Sequence, residues 1–275
     1  KSFALTLQAV KSVLESESSG PISVVVVDNS SDPDEGHKLR SNLPSSVVLR
    51  VNAHNMGFGF ACNQAFREFE SDGILLINPD ARLLPGCLKQ LQKTLFSSRD
   101  VAAVSPQLFW DDEQTFHLPP PYPTALFEFR TLLATWGSEA WINRFISFLW
   151  RRRSIKLWRS KKPVEVSNLS GGLVFLDRTA VQKTGGLFDP RFFLYYEDTD
   201  LFLRLRNHGL RLLIEPRAGA IHYYDQCGQS QWQEKRTLME KSHALFLEKH
   251  EKAWKTYLKK ALERFSRPAM GRKKF

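Results

Sequence analysis

Cysteine is scarce in these 275 residues: Cys62, Cys87 and Cys227 are the only three. Their number is odd, their spacing wide, and no two form a Cys-x-x-Cys pair. This excludes a disulfide framework and a zinc knuckle, and reads as free thiols in a reducing compartment. No apolar run approaches the roughly 18 residues of a membrane-crossing helix. No signal-peptide pattern is present either, so the expectation is a chain that neither begins export nor spans a bilayer. Internal repeats and low-complexity tracts are also missing. So are a Gly-x-Gly-x-x-Gly fingerprint and a phosphate-loop lysine, which leaves the two commonest nucleotide-binding signatures out.

What is present is a basic chain able to build a core. Hydrophobic residues make up 42%, an ordinary share for a globular protein. Lysine and arginine (39) outnumber aspartate and glutamate (29) by 10, with a pI near 9.6. Such an excess points to an anionic partner: a nucleotide, a nucleic acid or an anionic membrane surface.

Periodicity predicts a doubly wound α/β chain. Phe3, Leu7, Val10 and Leu14 recur at helical spacing over 2–15. Continuous apolar runs at 22–27, 47–51, 74–77, 101–104 and 173–176 read as buried strands. A loop is expected over 52–60, opening a helix through Asn63, Ala65 and Phe66, with further helices over 85–95 and from about 198 to Gly209. Short strands or edges are expected at 212–214 and 218–222. Strand alternating with helix implies a mostly parallel sheet. A helix comes first, so a strand upstream of Lys1 is the expected missing member.

Residues 110–165 differ in character. Prolines cluster at 119–123, then Trp136, Trp141, Phe145, Phe148, Leu149 and Trp150 lead into Arg151-Arg152-Arg153, Lys156, Trp158, Arg159, Lys161 and Lys162. Three readings stand side by side: a helical insertion packed on the core, a surface for membrane or lipid-phosphate, and a stacking surface for single-stranded nucleic acid. The tail from Trp232 reads as a basic helix with a stripe of Trp254, Leu258, Ala261, Leu262 and Phe265, lying on an anionic leaflet or solvated.

The chemistry concentrates at turns. Asp28 follows the first strand, Asp80 closes Asn78-Pro79-Asp80, and His222 ends an apolar stretch. In open α/β sheets ligands bind at such carboxyl edges. Phe192-Phe193-Leu194-Tyr195-Tyr196 runs directly into Glu197, Asp198 and Asp200. Acids there suit a helix's first turn. Walled by those rings, they suit a general base. A hard divalent cation takes carboxylate oxygen and leaves positions open for phosphates, and imidazole also holds manganese. Nucleotide anchor, cation on the diphosphate and base opposite it are the parts of sugar transfer from a nucleotide sugar.

The sequence resembles glycosyltransferase family 2, the inverting GT-A enzymes, and most of all their bacterial rhamnosyltransferase-like branch in cell-surface polysaccharide synthesis. The match rests on Val27-Asp28-Asn29-Ser30-Ser31, Asn55 through Asn63, Asn78-Pro79-Asp80, Ser170-Gly171-Gly172, Gly186-Leu187-Phe188-Asp189 and Phe192 through Leu201, with Arg204 and His222. The resemblance implies a GT-A domain over 1–229: a nucleotide-binding part to about 108, an insertion at about 110–165 and an acceptor part from about 166. A helical tail fills 230–275.

It also implies roles. Asp28 would recognise the base or ribose. Asn55, Gly57 and Asn63 would shape the nucleotide side. Asp80 would hold Mn2+ or Mg2+ with His222, and Asn78 stands where the family has a first acid. Gly171 and Gly172 would admit the acceptor, with Tyr196 and Glu197 beside it. Asp198 would be the base and Glu197 would orient it, while Arg204 would brace the acids. The expected partners are a UDP- or dTDP-linked sugar, a glycan or lipid-linked acceptor and an anionic membrane, with no nucleic acid. The expected place is the cytoplasm, at the inner membrane face. Two alternatives remain in view: a silent transferase-like scaffold module, and a sugar nucleotidyltransferase.

Overall fold

A computed structural model describes residues 2–121, 139–223 and 232–266, the side chains at a few helical positions and from 251 onward excepted. Cys227, Pro123 and Trp136 lie outside the described residues, as do the side chains of Trp141 and of the stripe from Trp254 to Phe265.

The first helix, α1 (Phe3–Leu14), buries Ala9, Val10 and Val13. Strand β1 (Val24–Asp28) leads into α2 (Pro33–Asn42), which the polar composition of that stretch concealed. Its start nevertheless carries ordinary signals. The Asp32 side chain accepts a hydrogen bond from the Asp34 amide, and Pro33 occupies the first turn, where no amide partner is needed. Strand β2 (Val47–Val51) pairs in parallel with β1 as a separate two-stranded sheet. Helix α3 (Phe58–Glu68), β3 (Gly73–Ile77), β4 (Ala81–Leu83), α4 (Cys87–Leu95) and β5 (Val101–Phe109) follow. Then come α5 (Glu139–Trp158), β6 (Val164–Val166), β7 (Leu173–Asp177), α6 (Arg178–Lys183), α7 (Glu197–Asn207), β8 (Arg211–His222) and α8 (Trp232–Ser266).

The larger sheet runs β3-β7-β5-β8-β4, with β6 also on β8. It is α/β as expected, but its pairing is mixed rather than mostly parallel. Only β5 and β8 run parallel in it; β3–β7, β5–β7, β4–β8 and β6–β8 are antiparallel. β7, which follows the insertion in sequence, lies between β3 and β5 and is antiparallel to both. The stretches 212–214 and 218–222 form one strand, kinked where Pro106 faces Glu215 but Gln107 faces Gly219.

Period-2 alternation divides the core. Leu173 and Phe175 of β7 face a cluster with Leu88, Leu91 and Leu95 of α4 and Val13 of α1. Val174 and Leu176 face the opposite cluster, with Leu201, Phe202 and Leu205 of α7. Each such fully buried side chain contributes about 1.5–3 kcal/mol.

The helical tail is not a unit apart from residue 230 onward. Phe246 of α8 is fully buried, its ring 5.3 Å from that of Tyr196, and the Ser242 hydroxyl donates to the Leu194 carbonyl (2.7 Å). Apolar burial of Phe246 therefore binds this part of α8 to the domain. Phe246→Ala is expected to cost about 3–5 kcal/mol and to open early cleavage sites within α8. Urea denaturation and limited proteolysis check both.

Candidate active site

The site is assembled where β1, β3 and β8 end. Asp28 closes β1 with its side chain 6% exposed. One oxygen accepts from the Ser30 amide (3.0 Å); Oδ2 has no hydrogen-bond partner among the described residues. Next to it, side-chain amides tie the loop after β1 to the loop after β2. Asn29 donates to Asn55 Oδ1 (2.9 Å) and the Gly57 carbonyl (3.2 Å), and accepts from Asn52 (3.0 Å) and the Met56 amide (3.1 Å). Gln64 exchanges two further bonds with Asn52. Asn55 therefore works as a loop brace, its Oδ1 also capturing the Gly57 amide (2.9 Å). Asn29, Asn52 and Gln64 escaped the sequence reading because an amide pair far apart in sequence leaves no spacing signature.

The second loop reaches the acid stretch directly. Gly57 has a φ of 88°, and a Cβ there would stand 2.3 Å from the Phe193 carbonyl oxygen. That carbonyl accepts the Phe58 amide (3.0 Å). Asn63 is committed to the same segment: its amide donates to the Phe188 carbonyl (2.8 Å) and accepts the Phe188 amide (3.0 Å). It thus braces the turn ahead of the acids, and in doing so shapes the cleft only at one remove.

Asp80 and His222 are brought together by the pairing of β4 with β8, which sets Ala81 opposite His222. Both are buried, with His222 Nε2 3.3 Å from Asp80 Oδ1. Gly172 packs against both His222 and Asn78: a Cβ there would lie 2.9 Å from His222 Cε1 and 3.0 Å from Asn78 Nδ2. The Asn78 amide also donates to the Gly172 carbonyl (2.7 Å).

The neighbouring residue, Gly171, touches the acid side. Its amide donates to Asp198 Oδ2 (2.9 Å), and a Cβ on it would lie 3.1 Å from Asp198 Cβ. Asp198 Oδ1 accepts from the Thr199 amide (2.6 Å) and hydroxyl (3.2 Å). Burial raises the proton affinity of Asp198, and these bonds oppose the rise. Glu197, 5% exposed, has no such donors on Oε2. Burial first, then the charge of Asp198, push its pKa up to about 8. The two acids titrate as a pair, in which three donors favour the charged form of Asp198 and Glu197 Oε2 has none.

The aromatic block is not the wall of these acids. Phe192 is buried under Lys249, Phe193 is 40% exposed, and the Tyr196 ring stacks on His243 of α8 at 5.2 Å. The apolar surroundings of Glu197 come instead from α3 and the preceding turn. A Cβ on Gly59 would touch Phe188 (3.2 Å) and Glu197 (3.7 Å). Cys62 lies here as well, its thiol pushed up to about 12 by burial and the Glu197 charge. Tyr196, expected at the acceptor, thus turns its ring to α8. Tyr195 and Tyr196 both hold left-handed backbone (φ 69° and 66°), uncommon for such side chains.

Four residues beyond Tyr196, Asp200 is fully buried and the hub of a polar cluster. Arg204 Nε (2.9 Å), Lys249 Nζ (2.8 Å) and His250 Nε2 (2.8 Å) surround it. Burial pushes its proton affinity up, and the bonds from His250, Lys249 and Arg204 override that and hold it below the ordinary carboxylate range. Arg204 also donates to the carbonyls of Thr184, Gly186 and Leu187 (2.8, 2.9 and 2.6 Å), bracing the acids as expected. Lys249 reaches Asp189 as well (2.7 Å). The sequence reading missed Lys249 and His250; their spacing from Ser242 and Phe246, on one helix face, was the available signal.

For a divalent cation the donors are the Asp80 carboxylate, the His222 imidazole and the Asn78 amide. Among the described residues no cluster of three or more His, Cys, Asp and Glu forms a closed metal cage. A carboxylate and an imidazole in contact fit a cation that draws its remaining ligands from phosphate and water.

Comparison with known proteins adds the following. Residues 3–181 match the model of Glycosyl transferase family 2. Two strains of Mycobacterium tuberculosis, CDC 1551/Oshkosh and H37Rv, have an N-acetylglucosaminyl-diphospho-decaprenol L-rhamnosyltransferase that is 26% identical over 216 residues, 74% of this chain and 67% of theirs. Among solved structures, GalNAc-T7 with UDP, GalNAc and Mn2+ superposes with a TM-score of 0.58 at 14% identity, over 89% of this chain and 45% of that one. The mannosyltransferase PcManGT from Pyrobaculum calidifontis, in complex with GDP-Man and Mn2+, gives 0.56 at 17%, over 85% and 57%. This chain therefore spans about half the length of those two, and the likeness establishes a GT-A-like fold.

Two substitutions test the geometry. The folded state holds the Glu197 proton between its ordinary 4.5 and about 8, so this group costs stability increasingly as pH rises through that window. Glu197→Gln should therefore raise the melting temperature, with a gain that grows from about pH 5 to about pH 8. Gly172→Ala must displace His222 or Asn78 and should cost about 1–3 kcal/mol in urea denaturation. Gly20→Ala, where a Cβ meets nothing within 4 Å, is the control.

Proposed function

We propose that this chain, which belongs to glycosyl transferase family 2, transfers a sugar from a nucleoside-diphosphate donor to a hydroxyl acceptor with inversion at the anomeric carbon. The observation that carries the reading is that consecutive residues serve two sides of one cleft: Gly171 touches Asp198, and Gly172 touches His222 and Asn78. The acid of the pair that stays ionised is the one whose oxygens are steadied by amide and hydroxyl donors.

In the proposed reaction Asp198 takes the proton of the acceptor hydroxyl as its oxygen forms a bond to the anomeric carbon. The carbon–oxygen bond to the diphosphate breaks, and the nucleoside diphosphate leaves with that electron pair. Glu197, protonated beside it, keeps the base in place and gives up no proton to the acceptor. Asp28 faces the nucleoside with its unbonded oxygen, and the Asn29–Asn55 brace holds that loop in register. Asp80 and His222, with Asn78, would hold Mn2+ or Mg2+. Bound there, the cation would supply positive charge against the leaving diphosphate. The donor is a UDP- or dTDP-linked sugar, rhamnose or similar, and the acceptor a glycan or lipid-linked saccharide. The mycobacterial relative, whose name specifies a rhamnosyl group and a decaprenol-linked substrate, supports this choice.

Asp198→Asn is expected to lower turnover by about 10²–10⁴-fold, the usual weight of a general base, with nucleotide affinity unchanged. Steady-state transfer assays beside calorimetric titration read the two effects separately, and an active Asp198→Asn chain would remove the base assignment. UDP or dTDP should raise the melting temperature only when Mn2+ or Mg2+ is present. His222→Ala should raise the cation concentration needed for that shift. A nucleotide shift that ignores both cation and His222 would sink the proposed metal site.

A further inference from the structure

We infer that the outward face of α5 is a docking surface for an anionic lipid bilayer. Among the described residues, helix α5 is fastened to the domain along one side. There Ser154 and Leu157 are buried, and the indoles of Trp150 and Trp158 donate to the carbonyls of Pro120 (3.1 Å) and Leu118 (3.3 Å). On the opposite side Phe145, Phe148, Leu149 and Ile155 are 56%, 50%, 43% and 43% exposed. Steps of three and four residues set them in one stripe, with Arg152 inside it. The Arg152 guanidinium lies 5.6 Å from the centre of the Phe148 ring. Four large apolar side chains left in water on one face mark an interaction site rather than scattered surface residues.

Charge decides the occupant. Residues 140–164 hold eight cations and no acid: Arg144, three consecutive arginines at 151–153, Lys156, Arg159, Lys161 and Lys162. A second copy of the chain would bring the same cations against these, at a cost. Nucleic acid would use stacking rings, yet half of the stripe is the aliphatic pair Leu149 and Ile155. A bilayer interface satisfies both halves of the surface. The apolar side chains enter the boundary between headgroups and acyl chains, while the guanidinium and ammonium groups stay among lipid phosphates. Docking is superficial, because among the described residues no helix is long and apolar enough to cross a membrane.

On its inward side, Leu157 lines a small cavity with Leu108, Leu118, Leu169 and Ser170, next to Gly171 in sequence. The docking does not rest on the transfer reading.

Co-sedimentation of the full chain with vesicles of phosphatidylglycerol in phosphatidylcholine, against phosphatidylcholine alone, tests it without any sugar donor. Phe145→Ser combined with Phe148→Ser should lower vesicle affinity at least about tenfold. Arg151→Gln combined with Arg153→Gln should lower affinity for anionic vesicles at low salt by roughly 10–30-fold and leave that for phosphatidylcholine unchanged. Both pairs are exposed, so unchanged melting temperatures will show intact folding. Equal sedimentation of the serine variant and the parent chain would overturn the inference. So would a parent chain that ignores vesicles, whether it binds an RNA oligonucleotide instead or forms a dimer that the serine variant breaks. Transfer to a soluble acceptor, measured in parallel, separates the readings: docking can fail while transfer stands, and the reverse.

Discussion

Two consecutive residues without side chains, Gly171 and Gly172, set the distance on which the cleft depends. One amide holds Asp198, while the next residue leaves under 3 Å between an imagined Cβ and His222. Any side chain at Gly172 would drive His222 or Asn78 outward, and any at Gly171 would press on Asp198. β7 begins at the next residue, Leu173, and lies between β3 and β5, antiparallel to both.

The three acids that open α7 show how environment divides like groups. Asp200 meets two cations, Arg204 and Lys249, and the His250 imidazole, and is held ionised in full burial. Glu197 meets apolar neighbours and another acid, so its proton is retained. Asp198, between them, is raised by burial too, against three donors that favour its charge. A buried charge without partners is costly, and a buried cluster with partners fixes geometry. Here the cluster ties α7 to α8 and supports two tyrosines in left-handed backbone just ahead of the acid pair. Part of the helix read as a basic tail thus packs against the loop that leads into these acids.

Much of this was legible from the residues. Buried strands announce themselves as continuous apolar runs, and 47–51 and 173–177 appear within a residue of expectation. Asp28, Asn78, Asp80 and His222 stand at strand ends because strands end where polar turns begin. Helix α2 was hidden, since its short polar sequence carries little apolar periodicity and only its cap declares it. The Phe-Phe-Leu-Tyr-Tyr block misled in another way. Aromatics next to acids in sequence point to different neighbours once the backbone turns left-handed at Tyr195 and Tyr196.

By itself the sequence determined the α/β class, the order of the chemical groups and their position at turns, since these depend on local composition and period. Tertiary structure alone decided which of those groups meet. The Asp80–His222 contact, the proton held on Glu197, and the Asp200 cluster with Lys249 and His250 all join residues tens of positions or more from at least one partner. Proton affinity in particular belongs to surroundings: burial and the count of donors within about 3 Å separate Glu197 from Asp198 and both from Asp200, and no spacing along the chain encodes those.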